Sequence, residues 1–226
     1  MKMIKEHTQH VFLHDNLLDD DYFQEVSTYA HNLRLIAIDG IDRSPLWRIA
    51  GKPAFPDCSR QTYVWTDNVA GRKSLEGIDD ISVFPTGSVL DKLIERIHEV
   101  AILSGLLGEP GKDWAGTVSR FYRYSLGSAV NWHRDSVLYT GAFICYLSTS
   151  WDQDWGGHLL CKDEGALDGK FFHPEPNRLI LIKTPYPHSV TPITCPPEVA
   201  RISFTGFFVK PEKVAQMVNQ LRKDYE

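Results

Sequence analysis

Apolar residues recur along this chain with two different periods. In residues 19–33, DDDYFQEVSTYAHNL, Phe23, Val26, Ala30 and Leu33 fall at helical spacing behind an acidic start suited to a helix N-terminus. In residues 88–106, SVLDKLIERIHEVAILSGL, one stripe is made by Leu90, Leu93, Ile94, Ile97 and Ala101, and Ser88 with Asp91 resembles a capping box. A third helical stripe, Val214, Met217, Val218 and Leu221, closes the chain after Pro211, which suits a first helical turn. Between these helices, residues 38–60 are rich in Gly, Pro and Asp and read as long surface loops.

From about Thr117 the period changes to that of strands. TVSRFYRYS, VLYTGAFICYLS, GHLLCKD, KFFH, RLILIKT and ARISFTGFFV are short β-branched and aromatic runs separated by turn signals such as DEGALDG and HPEPN. Many short strands with no intervening helical pattern predict an antiparallel sandwich or jelly roll. The expectation is one domain over residues 1–226, mainly β with flanking helices. Its β core spans about 117–210, residues 1–116 give a mixed, largely helical support, and a C-terminal helix spans 211–226.

Composition narrows the function. A 226-residue chain with 42% hydrophobic and 23% charged residues is ordinary for a globular protein with one well-buried core. A net charge of −5 argues against a nucleic-acid partner. Cys58, Cys145, Cys161 and Cys195 stand singly, so neither a thiolate zinc site nor a disulfide framework is indicated. The start MKMIKEHTQHVF meets charge before any long apolar stretch, so no signal peptide or membrane span is expected, and a cytoplasmic location is.

The candidate chemistry begins at Asn131–Gly141, NWHRDSVLYTG. His-Arg-Asp also opens the catalytic loop of protein kinases, but no Gly-rich phosphate loop precedes it, no asparagine follows at the required place, and the surroundings are β. On a strand, residues two apart point the same way, so His133 and Asp135 share a face and Arg134 faces away. A third ligand comes from His188, directly after the buried-strand pattern RLILIKT. Two histidines and one carboxylate form the facial triad of non-heme Fe(II) oxygenases, with positions left open for co-substrate and dioxygen. Any one of the nine histidines is by itself more often structural; the combination carries the reading.

Arg201 lies in the otherwise apolar strand ARISFTGFFV. It is either half of a structural ion pair or a bidentate clamp on a ligand carboxylate, and the triad upstream favours the clamp. Ser203, on the same strand face, can donate its hydroxyl to the same carboxylate.

These motifs together resemble the Fe(II)- and 2-oxoglutarate-dependent dioxygenases, and within them the prolyl-hydroxylase-like branch, over about Ser119 to Lys210. YRYSLGSAVNWHRD is similar to that branch's Tyr-x-x-Gly run leading into His-x-Asp. ICYLSTSWDQDWGGHLLC resembles its Tyr-Leu strand, Trp-bearing turn and Gly-Gly-x-Leu return. NRLILIKTPYPHSVTPI resembles the strand delivering the distal histidine, and ARISFTGFF the strand bearing the clamp.

The resemblance implies a double-stranded β-helix (jelly roll, cupin-like). His133, Asp135 and His188 would hold Fe(II), and Arg201 would pair with the distal carboxylate of 2-oxoglutarate. Tyr124, nine residues before His133, and Tyr146 would bond the co-substrate, with Leu159 and Phe207 as apolar walls. It implies hydroxylation of an unactivated C–H bond with release of succinate and CO2, dioxygen as co-substrate, and ascorbate as a candidate reductant. Arg201 follows His188 by thirteen positions, longer than usual for the branch, so TCPPEV must loop out for the guanidinium to arrive in register.

The substrate is expected to be a small molecule or an amino-acid-type compound, with a polypeptide residue left open. Trp132, Arg134 and Ser136, and Trp47, Arg48 and Arg60 of the loop-rich segment, are candidate contacts. A non-catalytic ligand- or protein-binding member of the same fold and a Zn(II) hydrolase are the alternatives. Oligomeric state is left open.

Overall fold

The computed structural model describes residues 5–6, 8–33, 57–58, 62–66, 81–83 and 87–212. The loop-rich stretch with Trp47, Arg48 and Arg60, and the C-terminal stripe beyond Glu212, lie outside the described residues.

Helix α1 (Asp20–Asn32) starts where the acidic run predicts. The Asp19 carboxylate accepts the Tyr22 backbone N–H at 3.0 Å, and this bond holds its carboxyl below the usual range. Helix α2 (Leu90–Ser104) ends at Gly105, whose φ of 64° allows its N–H to return to the Ile102 carbonyl. At its other end the Asp91 carboxylate accepts from the Gly87 N–H at 2.8 Å, and the Ser88 hydroxyl accepts from the Leu90 N–H. Both residues of the expected capping box thus accept backbone N–H groups at this helix start.

The described strands form two sheets. The major sheet runs β1 (Lys5–Glu6), β2 (Val11–Asp15), β11 (Arg178–Lys183), β8 (Tyr139–Tyr146), β13 (Arg201–Val209), β6 (Gly116–Tyr124), β4 (Thr62–Thr66) and β5 (Ile81–Val83). Strand β3 (Asp57–Cys58) also pairs with β6. The minor sheet runs β10 (Lys170–Phe172), β9 (Leu159–Cys161), β12 (His188–Val190) and β7 (Val130–His133). The result is a jelly roll braced by helices. The first third, expected as mainly helical support, also supplies strands, and β2 lies beside β11 in full register. VFLHD is too short for its period to declare itself in the sequence.

Strand β11 shows how the two layers are built. Leu179 and Leu181 pack with Phe23, Leu93 and Ile97 of the helices, while Ile180 and Ile182 face the minor sheet with Leu159, Cys161 and Val190. Apolar residues on both faces explain its unbroken run. Strand β13 divides its faces differently. Ile202, Phe204 and Phe208 join the helix-side core, and Arg201 and Ser203 point between the sheets. Gly206 lies where a Cβ would stand 2.5 Å from the Phe143 ring and from the Val118 carbonyl, so no side chain fits there. Among the described residues, no helix is long and apolar enough to cross a membrane.

Candidate metal centre

His133 is the last residue of β7 and His188 the first of β12, and the two are direct partners across that antiparallel pair. Their ring centroids stand 4.2 Å apart. Strand β7 ends at His133, so Asp135 does not continue a regular strand as the alternation argument requires. The chain turns beyond His133 and still returns the carboxylate to the imidazoles. Asp135 Oδ1 is 3.8 Å from His133 Nε2, and Oδ2 is 3.6 Å from His188 Nε2. One donor atom from each of the three residues lies within 4.8 Å of the others.

Both imidazoles are fixed from behind. His133 Nδ1 donates to the Asn131 carbonyl at 2.8 Å, and His188 Nδ1 donates to the Tyr186 carbonyl at 2.9 Å. With the proton on Nδ1, each Nε2 lone pair faces the shared space. Burial holds the His188 imidazole below its ordinary pKa against the upward pull of Asp135, which favours the neutral, ligating form. Two imidazole nitrogens and a carboxylate oxygen suit a divalent first-row cation such as Fe(II).

A second polar group lies deeper between the sheets. Arg201 is 2% exposed, and among the described residues no carboxylate pairs with it. Its guanidinium lies 4.0 Å from the Tyr124 ring centroid and 5.4 Å from that of Tyr146, and its Nη1 donates to the Gly157 carbonyl. Arg201 Nε, Ser203 Oγ and the Tyr146 hydroxyl are buried without a hydrogen-bond partner among the described residues. Burial pushes the Tyr146 phenol up to about 12, so it keeps its proton as a donor. A buried cation flanked by unmatched donors is costly unless an anion completes it. The donor set fits the distal carboxylate of a dicarboxylic acid. Tyr146 shares a core with Cys161, the register partner of His188, which ties this pocket to the triad.

Register brings these groups together. Arg201 pairs with Tyr124, and Ser203 with both Tyr122 and Tyr146. The long interval before Arg201 is taken up by a turn over Cys195–Val199, closed by the Val199 N–H to the Pro196 carbonyl and by the Cys195 thiol to the Val199 carbonyl. Leu159 is buried between the sheets, and Phe207 stacks on Tyr139 at 4.3 Å. Tyr122 packs at the edge of an aromatic cluster with Tyr124 and Trp151.

The substrate candidates fare differently. Arg134 ion-pairs with Glu164 at 2.5 Å, and Trp132 carries the Lys162 ammonium 4.8 Å above its ring. Sequence reasoning missed Gly157: its carbonyl anchors Arg201, its φ is +68°, and a Cβ there would stand 2.5 Å from Ile193 Cδ1 and 3.4 Å from Arg201 Nη1. The Gly-Gly pair was its signal, and it reads only as a turn.

Residues 119–209 match the family model of the 2OG-Fe(II) oxygenase superfamily. No curated protein matches the chain. Among solved structures, the chain is similar to a prolyl hydroxylase from Trichoplax adhaerens in complex with a hypoxia inducible factor oxygen degradation domain peptide fragment. The identity is 18%, coverage 92% of this chain and 87% of that one, and the TM-score 0.61. It is similar to a Pseudomonas putida prolyl-4-hydroxylase at 17% identity, covering 89% and 88%, with a TM-score of 0.57. The Arabidopsis thaliana dioxygenase for auxin oxidation 1, in its 2-oxoglutarate complex, aligns at 14% identity over 89% and 84%, with a TM-score of 0.52. At such identities the likeness is one of fold.

Proposed function

We propose, from the resemblance of residues 119–209 to the 2OG-Fe(II) oxygenase superfamily, that this protein is a 2-oxoglutarate-dependent hydroxylase of an unactivated C–H bond, working as a single oxygenase domain. The observation that carries the reading is the coexistence of two unmatched features on the facing layers of the jelly roll. These are the converging His133, Asp135 and His188 donors and the buried Arg201, which has no carboxylate partner among the described residues.

Each residue then has a part. His133 Nε2, His188 Nε2 and an Asp135 oxygen would hold Fe(II) on one side, leaving its other positions to the cleft. Arg201, Ser203 and Tyr146 would take the distal carboxylate of 2-oxoglutarate, with Tyr124 beneath the guanidinium fixing its plane. Leu159 and Val190 keep the neighbouring space apolar and exclude water. When bound, Fe(II) with 2-oxoglutarate would supply the oxidising chemistry: the co-substrate loses CO2 and gains one oxygen atom of dioxygen to become succinate, and the other oxygen atom enters a C–H bond.

The test is succinate formation from 2-oxoglutarate by the full chain with Fe(II) in air, where slow turnover without prime substrate is expected. His133→Ala abolishes it while the circular dichroism spectrum is kept. Succinate at the wild-type rate from that variant removes the metal assignment; a folded wild type that makes none, with or without candidate substrates, favours a non-catalytic member of the fold.

A further inference from the structure

Among the described residues, the interior face of the major sheet carries three arginines, Arg120, Arg178 and Arg201; Arg178 pairs with Asp15, and the function proposed above uses Arg201. Strands β6 and β13 run side by side in unbroken register, Arg201 opposite Tyr124, Ser203 opposite Tyr122 and Thr205 opposite Arg120. Alternation places Arg120 on the same face as Tyr122 and Tyr124, because its neighbour Phe121 is fully buried in the helix-side core. Arg120 is therefore four residues, about 13 Å, along the strand from Tyr124, at the exposed end of this strand pair.

Arg201 sits at the closed end, 2% exposed, whereas Arg120 is exposed. No carboxylate pairs with Arg120 among the described residues, unlike Arg134 and Arg178, which are paired with Glu164 and Asp15. The Tyr139 phenol links this end to the triad. Burial raises its pKa, with Arg120 pulling down and Asp135 pushing up, so both charges act on one ring. That ring stacks on Phe207, which shares the interior face.

We propose that Arg120 is a substrate-binding residue and that the prime substrate is a monocarboxylate with an apolar body, its carboxylate on the Arg120 guanidinium and its body against Tyr139 and Phe207. This rests on the oxygenase reading above. A planar guanidinium matches a carboxylate in two parallel hydrogen bonds. One arginine balances one negative charge; a phosphate dianion calls for more cation than this wall holds among its described residues. The aromatic pair beside it favours an apolar body over a sugar or a polar chain. Substrate and co-substrate carboxylates then bind opposite ends of one strand pair, and the C–H bond to be oxidised lies between them, on the side of Asp135.

The full chain is loaded with Zn(II) and 2-oxoglutarate, so the Arg201 end is already filled, and binding is followed by ligand-observed NMR. Probes are L-leucine, L-phenylalanine, 3-phenylpropionate and hexanoate, each beside its methyl ester, with phenyl phosphate as the dianion. At least one free acid is expected to bind at least tenfold more tightly than its ester, and Arg120→Met to weaken that acid at least tenfold with little effect on the ester. Arg120→Lys, which keeps the charge and loses the fork, falls between them. Melting curves of the three loaded proteins establish that each is folded. Esters binding as well as acids, acids binding equally to wild type and Arg120→Met, preference for phenyl phosphate, or no acid binding at all would each overturn the proposal. If wild type forms succinate from 2-oxoglutarate while these outcomes hold, only the Arg120 assignment falls; absence of succinate formation strikes the oxygenase reading itself.

Discussion

His133 and His188 are register partners at the ends of two neighbouring strands, and each is locked by an Nδ1 hydrogen bond to a carbonyl two residues before it. The same local device is used twice, so the two Nε2 atoms are presented to Asp135 by backbone geometry rather than by loop packing. His133→Ala and Asp135→Ala are each expected to weaken Mn(II) binding by more than the roughly 10–100-fold typical of losing a supporting group. Equilibrium titration followed by electron paramagnetic resonance measures this, and unchanged affinity in either variant removes that residue from the centre.

Arg201 is a buried cation without a carboxylate partner among the described residues. A buried charge without a counter-charge carries an uncompensated desolvation cost, which an apolar side chain of similar length removes. Arg201→Met is therefore expected to melt no lower than wild type without ligands. Added 2-oxoglutarate with Mn(II) should raise the melting temperature of wild type and not of the variant. An equal ligand-induced rise in both moves the clamp elsewhere.

Gly157 and Gly165 both have positive φ, +68° and +75°, yet only at Gly157 would an added Cβ meet neighbours within 4 Å, Ile193 and Arg201 among them. Alanine at either site carries a backbone cost of about 1–2 kcal/mol. At Gly157 the added Cβ would also stand 2.5 Å from Ile193 Cδ1, and the shift this forces on the Gly157 carbonyl that anchors Arg201 should lower 2-oxoglutarate affinity, whereas Gly165→Ala leaves it unchanged. Calorimetric titration of both variants separates strain from the positioning effect.

Asn177 is buried with φ +58°, its side-chain oxygen accepting from Leu18 N–H at 2.9 Å and its amide donating to the Leu18 carbonyl at 2.8 Å. Its own N–H reaches the Tyr146 carbonyl at 3.0 Å, tying the start of α1 to the strand that carries Tyr146. Asn177→Ala removes both side-chain bonds and is expected to cost about 2–4 kcal/mol in urea unfolding. A cost below about 1 kcal/mol would show that this tie contributes little.

Burial pushes the His98 imidazole down to about 3, with Trp114 and Phe208 packed on its ring. The unfolded chain's imidazole titrates at about 6.5. Between those values the unfolded state holds a proton that the native state does not, so the stability is full above about pH 6.5 and falls with falling pH, by up to about 1.4 kcal/mol per pH unit. Urea midpoints at pH 7.5, 6 and 5 should decline less steeply in His98→Leu than in wild type. Identical slopes would mean that another group governs the acid limb.

Much of this was legible beforehand for identifiable reasons. Helices α1 and α2 carry long apolar stripes with end signals, and a 3.6-residue period repeated over three turns has few rivals. The strands after Thr117 announce themselves through β-branched and aromatic runs between turns. Strand β2 did not, because five residues are too few to establish a period. Arg120 stayed hidden because an arginine in a strand resembles any solvent-facing residue until the register places Phe121 on the opposite face.

Sequence alone determined the residue types and local periods: the histidines and carboxylate, the arginine in an apolar strand, and the helices and strands that hold them. Covalent order and side-chain alternation encode these locally. Tertiary structure decided which of them meet. Strand register sets His133 against His188 and Arg201 against Tyr124, the turn beyond β7 brings Asp135 back outside any regular strand, and sheet packing buries Arg201 while leaving Arg120 open. Pairing between distant segments is a property of the whole core, and no local pattern contains it.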